Sequence, residues 1–382
     1  MKLKSKLSFV AFSVLATVAA SAAPLLQMEN DSTLHALADV TIGWDDNVLR
    51  TSSLQQSDMY FQFSPGLEYR MDPNSAASTT VTYRHHFLRY DDMGELDADL
   101  ADLMVNFKYD SGVVLATAHA KYREMYNNTY DLDQNSDIFG VLVEREITGF
   151  GADIRYELSE LTAIKVGASQ QDVKYDNSRF TDHESFSVPV TVFYKIRPKA
   201  SLTGGLRYRD TDTDVGNTFE DLYFFVGGVG EVFSPVIHAD ISIGYQSRDA
   251  DYALLPDTDS GSASYNARLI YTGNPKATVY GGLSRDYRTS AYNGLGYTFT
   301  SASLGARYSL SNAVGVNAQV AVGESNYEQD TRSEDITMFN LGASYRANDF
   351  LMLSASYSYR DVDGDVANYQ DSEFRVTASL RY

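Results

Sequence analysis

A two-residue alternation of apolar and polar side chains recurs along this chain in units of about ten residues, and no other feature constrains the fold as tightly. Its first instance is LHALADVTIGW. Leu34, Ala36, Ala38, Val40, Ile42 and Trp44 share one side there, and His35, Asp39, Thr41 and Gly43 the other. Phe61, Phe63, Leu67 and Tyr69 alternate in the same way with Gln62, Ser64, Glu68 and Arg70, and Ile237, Ala239, Ile241, Ile243 and Tyr245 with His238, Asp240, Ser242 and Gln246. Val314, Val316, Ala318, Val320 and Val322 repeat the pattern. So does the final segment FRVTASLRY, with Phe374, Val376, Ala378, Leu380 and Tyr382 on one face. Strands with one apolar and one polar face, repeated to the last residue, predict an all-β transmembrane antiparallel up-and-down barrel, lipid on one side and a wet lumen on the other.

The breaks between units are of two kinds that take turns. Short ones carry turn residues: DPNS at 72–75, DSG at 110–112, RPK at 197–199, FSP at 233–235, GNP at 273–275, LSN at 310–312 and AND at 347–349. Long acidic ones lie near residues 90, 127, 209, 247 and 360. Short turns on the periplasmic side and long loops outside are the layout of outer-membrane barrels, and the spacing predicts about 18 strands, with about 16 as the alternative. Between Asp137 and Leu158 the apolar phase slips once. Phe139, Val141 and Val143 hold one parity and Phe150, Ala152, Ile154 and Tyr156 the other, which predicts one long strand bulged around Ile147-Thr148-Gly149.

Lys2, Lys4 and Lys6 precede an apolar run from Leu7 to Val18, followed by Ala20-Ser21-Ala22. This three-part layout predicts a signal peptide over 1–22, a short periplasmic segment over 23–33 and the barrel over 34–382. The chain holds 28 Tyr, 19 Phe and 26 Gly but 8 Pro, and no Cys, which excludes a disulfide framework and thiolate metal sites.

The net charge is −20 at pH 7, yet acids and bases are sorted differently. Parity places Arg70, Arg84, Lys108, Lys121, Arg123, Arg155, Lys165, Lys195, Arg207, Arg209, Arg248, Arg268, Arg307, Arg346, Arg360, Arg375 and Arg381 in the lumen. Inward acids such as Glu68, Glu144, Asp153 and Asp240 look fewer, and the rest fall in the loops. A base-lined lumen draws anions or acidic sugars by its summed field. The competing reading is that these bases pair with acids and tyrosines to stiffen the interior. Trp44, Tyr69, Tyr83, Tyr208, Tyr245 and Tyr359 share lipid-side parity, and Tyr90, Tyr223 and Tyr280 the other.

No catalytic site is expected. The six histidines, His35, His85, His86, His119, His183 and His238, fit no nucleophile or zinc pattern, and adjacent His85 and His86 point to opposite faces. Asp361, Asp363 and Asp365, like Asp210, Asp212 and Asp214, alternate without the glycine and glutamate of a calcium loop. No metal or cofactor is expected.

The segment VTIGWDDNVLRTSS carries Gly43, Asp45, Asp46, Asn47 and Arg50. It resembles the start of the β-barrel porins encoded in exopolysaccharide gene clusters of Gram-negative bacteria. The resemblance implies an outer-membrane conduit for an exopolysaccharide or capsular polysaccharide, serving biofilm or capsule and working with a periplasmic polysaccharide-export protein by passive permeation. The alternative is a general or anion-selective porin for small solutes. The Asp45-Asp46-Asn47 cluster is expected to cap the first external loop by side-chain to backbone bonds. Phe374, Val376, Ala378, Leu380 and Tyr382 resemble the C-terminal signal read by the barrel-assembly machinery. The remaining expected partners are the outer membrane and its lipopolysaccharide, with no nucleic acid.

Overall fold

The computed structural model describes residues 24–28, 31–71, 75–126, 142–329, 332–365 and 368–382. The predicted signal peptide lies outside them. A two-residue strand β1 (Leu26–Gln27) precedes β2 (Thr33–Asp45), β3 (Asp58–Met71), β4 (Ala77–Tyr90), β5 (Ala98–Asp110), β6 (Val114–Tyr126), β7 (Glu144–Glu157), β8 (Thr162–Tyr175), β9 (His183–Arg197) and β10 (Ala200–Thr213). Then come β11 (Thr218–Ser234), β12 (Ile237–Asp251), β13 (Thr258–Asn274), β14 (Ala277–Thr289), β15 (Gly296–Ser309), β16 (Val314–Tyr327), β17 (Ser333–Arg346), β18 (Leu351–Gly364) and β19 (Asn368–Arg381). Each long strand pairs antiparallel with its sequence neighbour, and β19 pairs with β2 from Glu373↔Asp45 to Arg381↔Leu37. The result is a closed barrel of eighteen strands. Beyond the last ladder pair the seam is tied once more, since Tyr382 and Ala36 exchange both backbone hydrogen bonds, at 2.6 and 2.9 Å.

Closure follows from the solvent. Backbone N–H and C=O groups have no water to bond in hydrocarbon, so a strand can lie there only if both of its edges are paired. The alternation supplies the matching faces. On β12, Ile243 and Tyr245 are exposed outward while Gln246 and Arg248 are buried inward.

The strands are longer than the alternation suggested. They run from 13 to 17 residues, whereas about 9–11 suffice to cross a membrane. The surplus absorbs two segments expected as long acidic loops: the one near 209 is the end of β10 and start of β11, and the one near 360 joins β18 to β19. Their acids alternate because they sit on strands. Asp210 faces Glu220 across the β10–β11 pair, and Glu220 faces Asp249 across β11–β12.

The bulge expected at Ile147–Gly149 is absent. β7 pairs without interruption to β6 (Arg123↔Ile147, Tyr122↔Thr148, Lys121↔Gly149) and to β8. Phe139 and Val141 lie outside the described residues. Val143 and Ile147 share the inward parity, and Val143 is apolar there because it packs with Phe180 and Ala291 inside the lumen. The register shifts that do occur lie at the short-turn end, at Ala200/Ser201, Gly230/Ser234 and Tyr271/Asn274.

The shift at Gly230 completes a pattern. Each strand that descends toward the short turns carries an outward aromatic near its lower end: Tyr69, Tyr109, Tyr156, Tyr194, Phe233, Tyr271, Tyr308, Tyr345 and, just past β19, Tyr382. Phe233 would face inward by parity, and the irregularity beside it leaves the ring 60% exposed. Such a ring of amphipathic side chains suits a membrane–water interface. Depth-dependent cost gives a direct test of the two faces. Ile243→Arg, at the middle of β12 on the outer face, is expected to lower stability by about 2–4 kcal/mol in reversible unfolding in lipid vesicles, and inward Asn266→Arg by less than about 1 kcal/mol.

Candidate functional site

The lumen wall is built from alternate residues of all eighteen strands, so its chemistry is set by parity. The bases expected inward do share that face, but carboxylates come with them. Arg70 lies 2.8 Å from Glu68, Lys108 3.3 Å from Asp110, Arg123 2.9 Å from Asp102, Arg155 2.8 Å from Glu157 and Lys165 3.2 Å from Asp153. Arg375 meets Glu373 at 3.0 Å and Arg381 reaches Glu68 at 2.7 Å. Arg84 pairs with Asp39 two strands away, passing over Gly66, where a Cβ would meet Arg84 Cγ at 2.9 Å. Lys121 donates to Gln171 at 2.6 Å and Lys195 to the Glu160 carbonyl at 3.0 Å. Inward acids are therefore not scarce, and the sequence undercounted them because a single Asp next to an apolar residue reads as a loop signal. Glu144, expected inward, has the outward parity of Phe150 and Ile154. The inward residue at that level is the buried Arg145.

The densest network lies on β10–β12. Asp221, fully buried, accepts from Arg248 Nε at 2.7 Å and Arg209 Nη2 at 2.6 Å, and Asp286 of β14 accepts from Arg207 at 3.1 Å and Arg209 at 3.2 Å. Tyr223 bonds to Asp286 and receives the Arg207 guanidinium on its ring at 3.9 Å. Just beyond β16, Glu328 accepts from Ser260 Oγ at 3.1 Å and sits 3.8 Å from Arg248. Burial outweighs that cation and pushes its carboxyl above the ordinary range. Arg360, 2% exposed, approaches the Tyr369 hydroxyl at 3.5 Å.

The lower halves of β14–β18 differ. Their inward residues are Thr278, Tyr280, Gly282 and Ser284, then Ser301, Ser303, Gly305, Arg307 and Ser309, then Gly315, Asn317 and Gln319, then Asn340, Gly342, Ser344 and Arg346, then Met352, Ser354, Ser356 and Ser358. No carboxylate is among them. Arg307 lies 5.3 Å over the Tyr280 ring, and neither it nor Arg346 engages a carboxylate among the described residues. Arg268, on the adjoining β13, faces Asp240 across the ladder.

The Gly43–Arg50 segment fastens the seam. β2 and β19 stop pairing at Asp45↔Glu373, and the side chains carry on from there. Asp46 Oδ1 accepts from Ser372 N at 2.6 Å, Asn47 Nδ2 donates to the Gln370 carbonyl at 2.8 Å, and Arg50 pairs with Asp371 at 3.4 Å. The turn itself is closed by Asp45 Oδ1 accepting from Asn47 N at 2.8 Å and Asn47 Oδ1 from Thr51 N at 3.1 Å. Gly43 leaves room for Tyr60, whose ring would lie 2.3 Å from a Cβ there and whose hydroxyl crosses β2 to bond Glu373 on β19. His86, inward, has Nδ1 2.7 Å from Ser64 Oγ, while His85 lies on the other face against Phe87.

A family model described as "Putative beta-barrel porin 2" matches residues 33–382, the span from β2 to the end of the seam. The chain belongs to that family. Among curated proteins, none matches. Among solved structures, this porin is similar to Pseudomonas aeruginosa OccK2 (OpdF) in complex with glucuronate, at 10% identity and a TM-score of 0.51 over 92% of this chain and 98% of that one. It is also similar to Acinetobacter baumannii OccAB2, at 11% identity and a TM-score of 0.50, over 92% and 98%. The ferric citrate transporter FecA is matched at 11% identity and a TM-score of 0.48, over 86% of this chain and 60% of that one. The shared fold is that of outer-membrane porin barrels.

Arg50 and Asp371 are both buried, so removing Arg50 takes a cation away from a buried carboxylate. Arg50→Ala in this porin is expected to cost about 3–5 kcal/mol in reversible unfolding, and the double change Arg50→Met with Asp371→Leu to recover most of it.

Proposed function

We propose that this porin is an outer-membrane conduit through which an acidic exopolysaccharide or capsular polysaccharide leaves the cell, delivered by a periplasmic export partner. The observation that carries the reading is the asymmetry of the lumen wall. On most of the circumference each base has a carboxylate beside it, so its field at a passing ligand is largely cancelled. The lower halves of β14–β18 instead offer hydroxyls, side-chain amides and backbone exposed at glycine, with Arg307 and Arg346 standing among them. Such a surface suits a hydrated chain of sugar rings. Hydroxyl and amide groups exchange hydrogen bonds with water and with sugar hydroxyls at similar strength, so a polymer is wetted without being held. The two guanidinium groups favour a chain that bears carboxylate or another anion.

Permeation needs no covalent step. Sidedness follows from the barrel's layout, with the short turns and both ends of the sheet toward the periplasm and the acidic strand ends outside. A like-charged polymer that has emerged is repelled from the outer face of the strand ends, where Asp210, Glu220 and Asp249 stand.

Deletion of the gene is the direct test: surface polymer is lost while polymer accumulates in the periplasm. Unchanged secretion would sink the export reading in favour of a small-solute porin. Arg307→Gln with Arg346→Gln is expected to lower the anion-over-cation permeability ratio of the purified barrel by about twofold to tenfold, with the thermal stability of the barrel kept.

A further inference from the structure

The ladder between β13 and β14 is incomplete over a longer stretch than the similar break between β5 and β6 at Asp102↔Arg123. It runs from Asn274↔Ala277 to Tyr265↔Arg285 and stops there, although β13 continues to Thr258 and β14 to Thr289. β14 stays paired with β15 up to Thr289↔Gly296, and β15 with β16 up to Tyr297↔Tyr327, so the β14–β15 hairpin parts from β13 while its other side stays joined to β16. That hairpin lies inside the barrel. Its residues touch inward side chains of strands up to four places away: Asp286 meets Arg207, Arg209 and Tyr223, the Tyr287 carbonyl accepts from Arg209 at 2.6 Å, and the Arg288 carbonyl accepts from Arg248 at 3.0 Å. Tyr287, 2% exposed, has its hydroxyl 3.1 Å from Ser260 Oγ on the inner face of β13.

The tip reaches farther. Thr181 N donates to the Ala291 carbonyl at 2.6 Å, and Asn217 Nδ2 to that of Gly294 at 3.0 Å, which places residues 290–295 under the β8–β9 and β10–β11 connections. Gly294 has a φ of +65°, and a Cβ there would lie 2.8 Å from Val215 Cγ2, so this contact requires glycine. Behind the hairpin, Gln329 leans across to donate to the Pro256 carbonyl at 3.1 Å and screens the unpaired edge of β13.

We propose that the β14–β15 hairpin is a gate with two positions. In one, seen here, it is docked across the mouth at the loop end and held by the carboxylate of Asp286 and the backbone carbonyls. In the other, the ladder zips on from Tyr265↔Arg285 in the same register, pairing Ser264 with Asp286, Ala263 with Tyr287, Ser262 with Arg288 and Gly261 with Thr289. In the first position Arg209 and Arg248 donate to the Tyr287 and Arg288 carbonyls, and in the second β13 pairs the free edge of β14, so each place offers backbone bonds that the other lacks. Zipping withdraws the tip from the lumen and clears the mouth. The gate serves any cargo and does not depend on the export reading.

The chain has no cysteine, so either position can be locked by one introduced pair. Thr181→Cys with Ala291→Cys locks the docked position, and Ala263→Cys with Tyr287→Cys the zipped one. Both disulfides are expected to form in the assembled barrel. Single-channel conductance is expected to differ by about twofold or more between the two oxidised forms, the zipped one being larger, and to converge on reduction. Failure of the docked pair to cross-link, cross-linking of the docked pair alone, or equal conductance of the two locked forms would overturn the gate. Asp286→Asn, which keeps the side-chain shape and removes the charge, is expected to raise the open fraction about twofold, and an unchanged record would also overturn it.

Discussion

Everything in this molecule depends on leaving no backbone hydrogen-bonding group unpaired where water is absent. In a soluble sheet an edge strand is a hazard that can be covered or charged, but in hydrocarbon it is not allowed at all. The first and last strands must therefore meet, and they are the pair that the chain's connectivity does least to bring together. The Gly43–Arg50 segment answers that difficulty. Asp46, Asn47 and Arg50 take up backbone and side chain of residues 370–372 where the two strands cease to pair, and Tyr60 spans the seam over Gly43 to Glu373. A short motif at the end of the first strand is thus a fastening for the last one.

The inner face shows how an acidic chain carries so many buried bases. An arginine on a closed, narrow surface needs a partner, and the two-residue period supplies one on the same strand at i±2 or directly across a neighbour. Arg155 with Glu157 is the first kind and Arg123 with Asp102 the second. Where side chains are small, a base reaches farther, as Arg84 does over Gly66. These pairs stiffen the wall more than they charge it. Electrostatic character is left to the short-turn halves of β14–β18, where no acid is present to cancel a guanidinium.

The barrel and the inward placement of Arg70, Arg123 or Arg248 were legible because a strict period of two fixes both faces at once. Three things were not. The acidic runs near 209 and 360 read as loops, since Asp is a turn former, but strands that outgrow the membrane carry acids on their outer face without cost from lipid. The phase slip before Phe150 read as a bulge, although apolar Val143 faces inward because Phe180 and Ala291 occupy the lumen beside it. The hairpin that occupies it left no local trace: Asp286 and Arg288 keep ordinary alternation, and only the meeting of β14 with β10 and β12 sets them apart. Asp221, whose carboxylate holds two arginines, was missed for the first of these reasons, since it closes the acidic run at 209–221 that reads as a loop.

Both edges of the sheet are sealed at one seam, and β1 and Tyr382 lie at the same end of the barrel. Strands can consequently be gained or lost only in pairs, because a single one would send the closing strand in parallel to its neighbour and move an end across the membrane. Each added hairpin lengthens the circumference by roughly 12 Å, at a spacing of about 4.8 Å between tilted strands. Bore is thus a stepped variable in such a fold. A barrel of this kind adjusts continuously only through what it folds into the lumen, which places the fine control of passage in the residues that line and cross it.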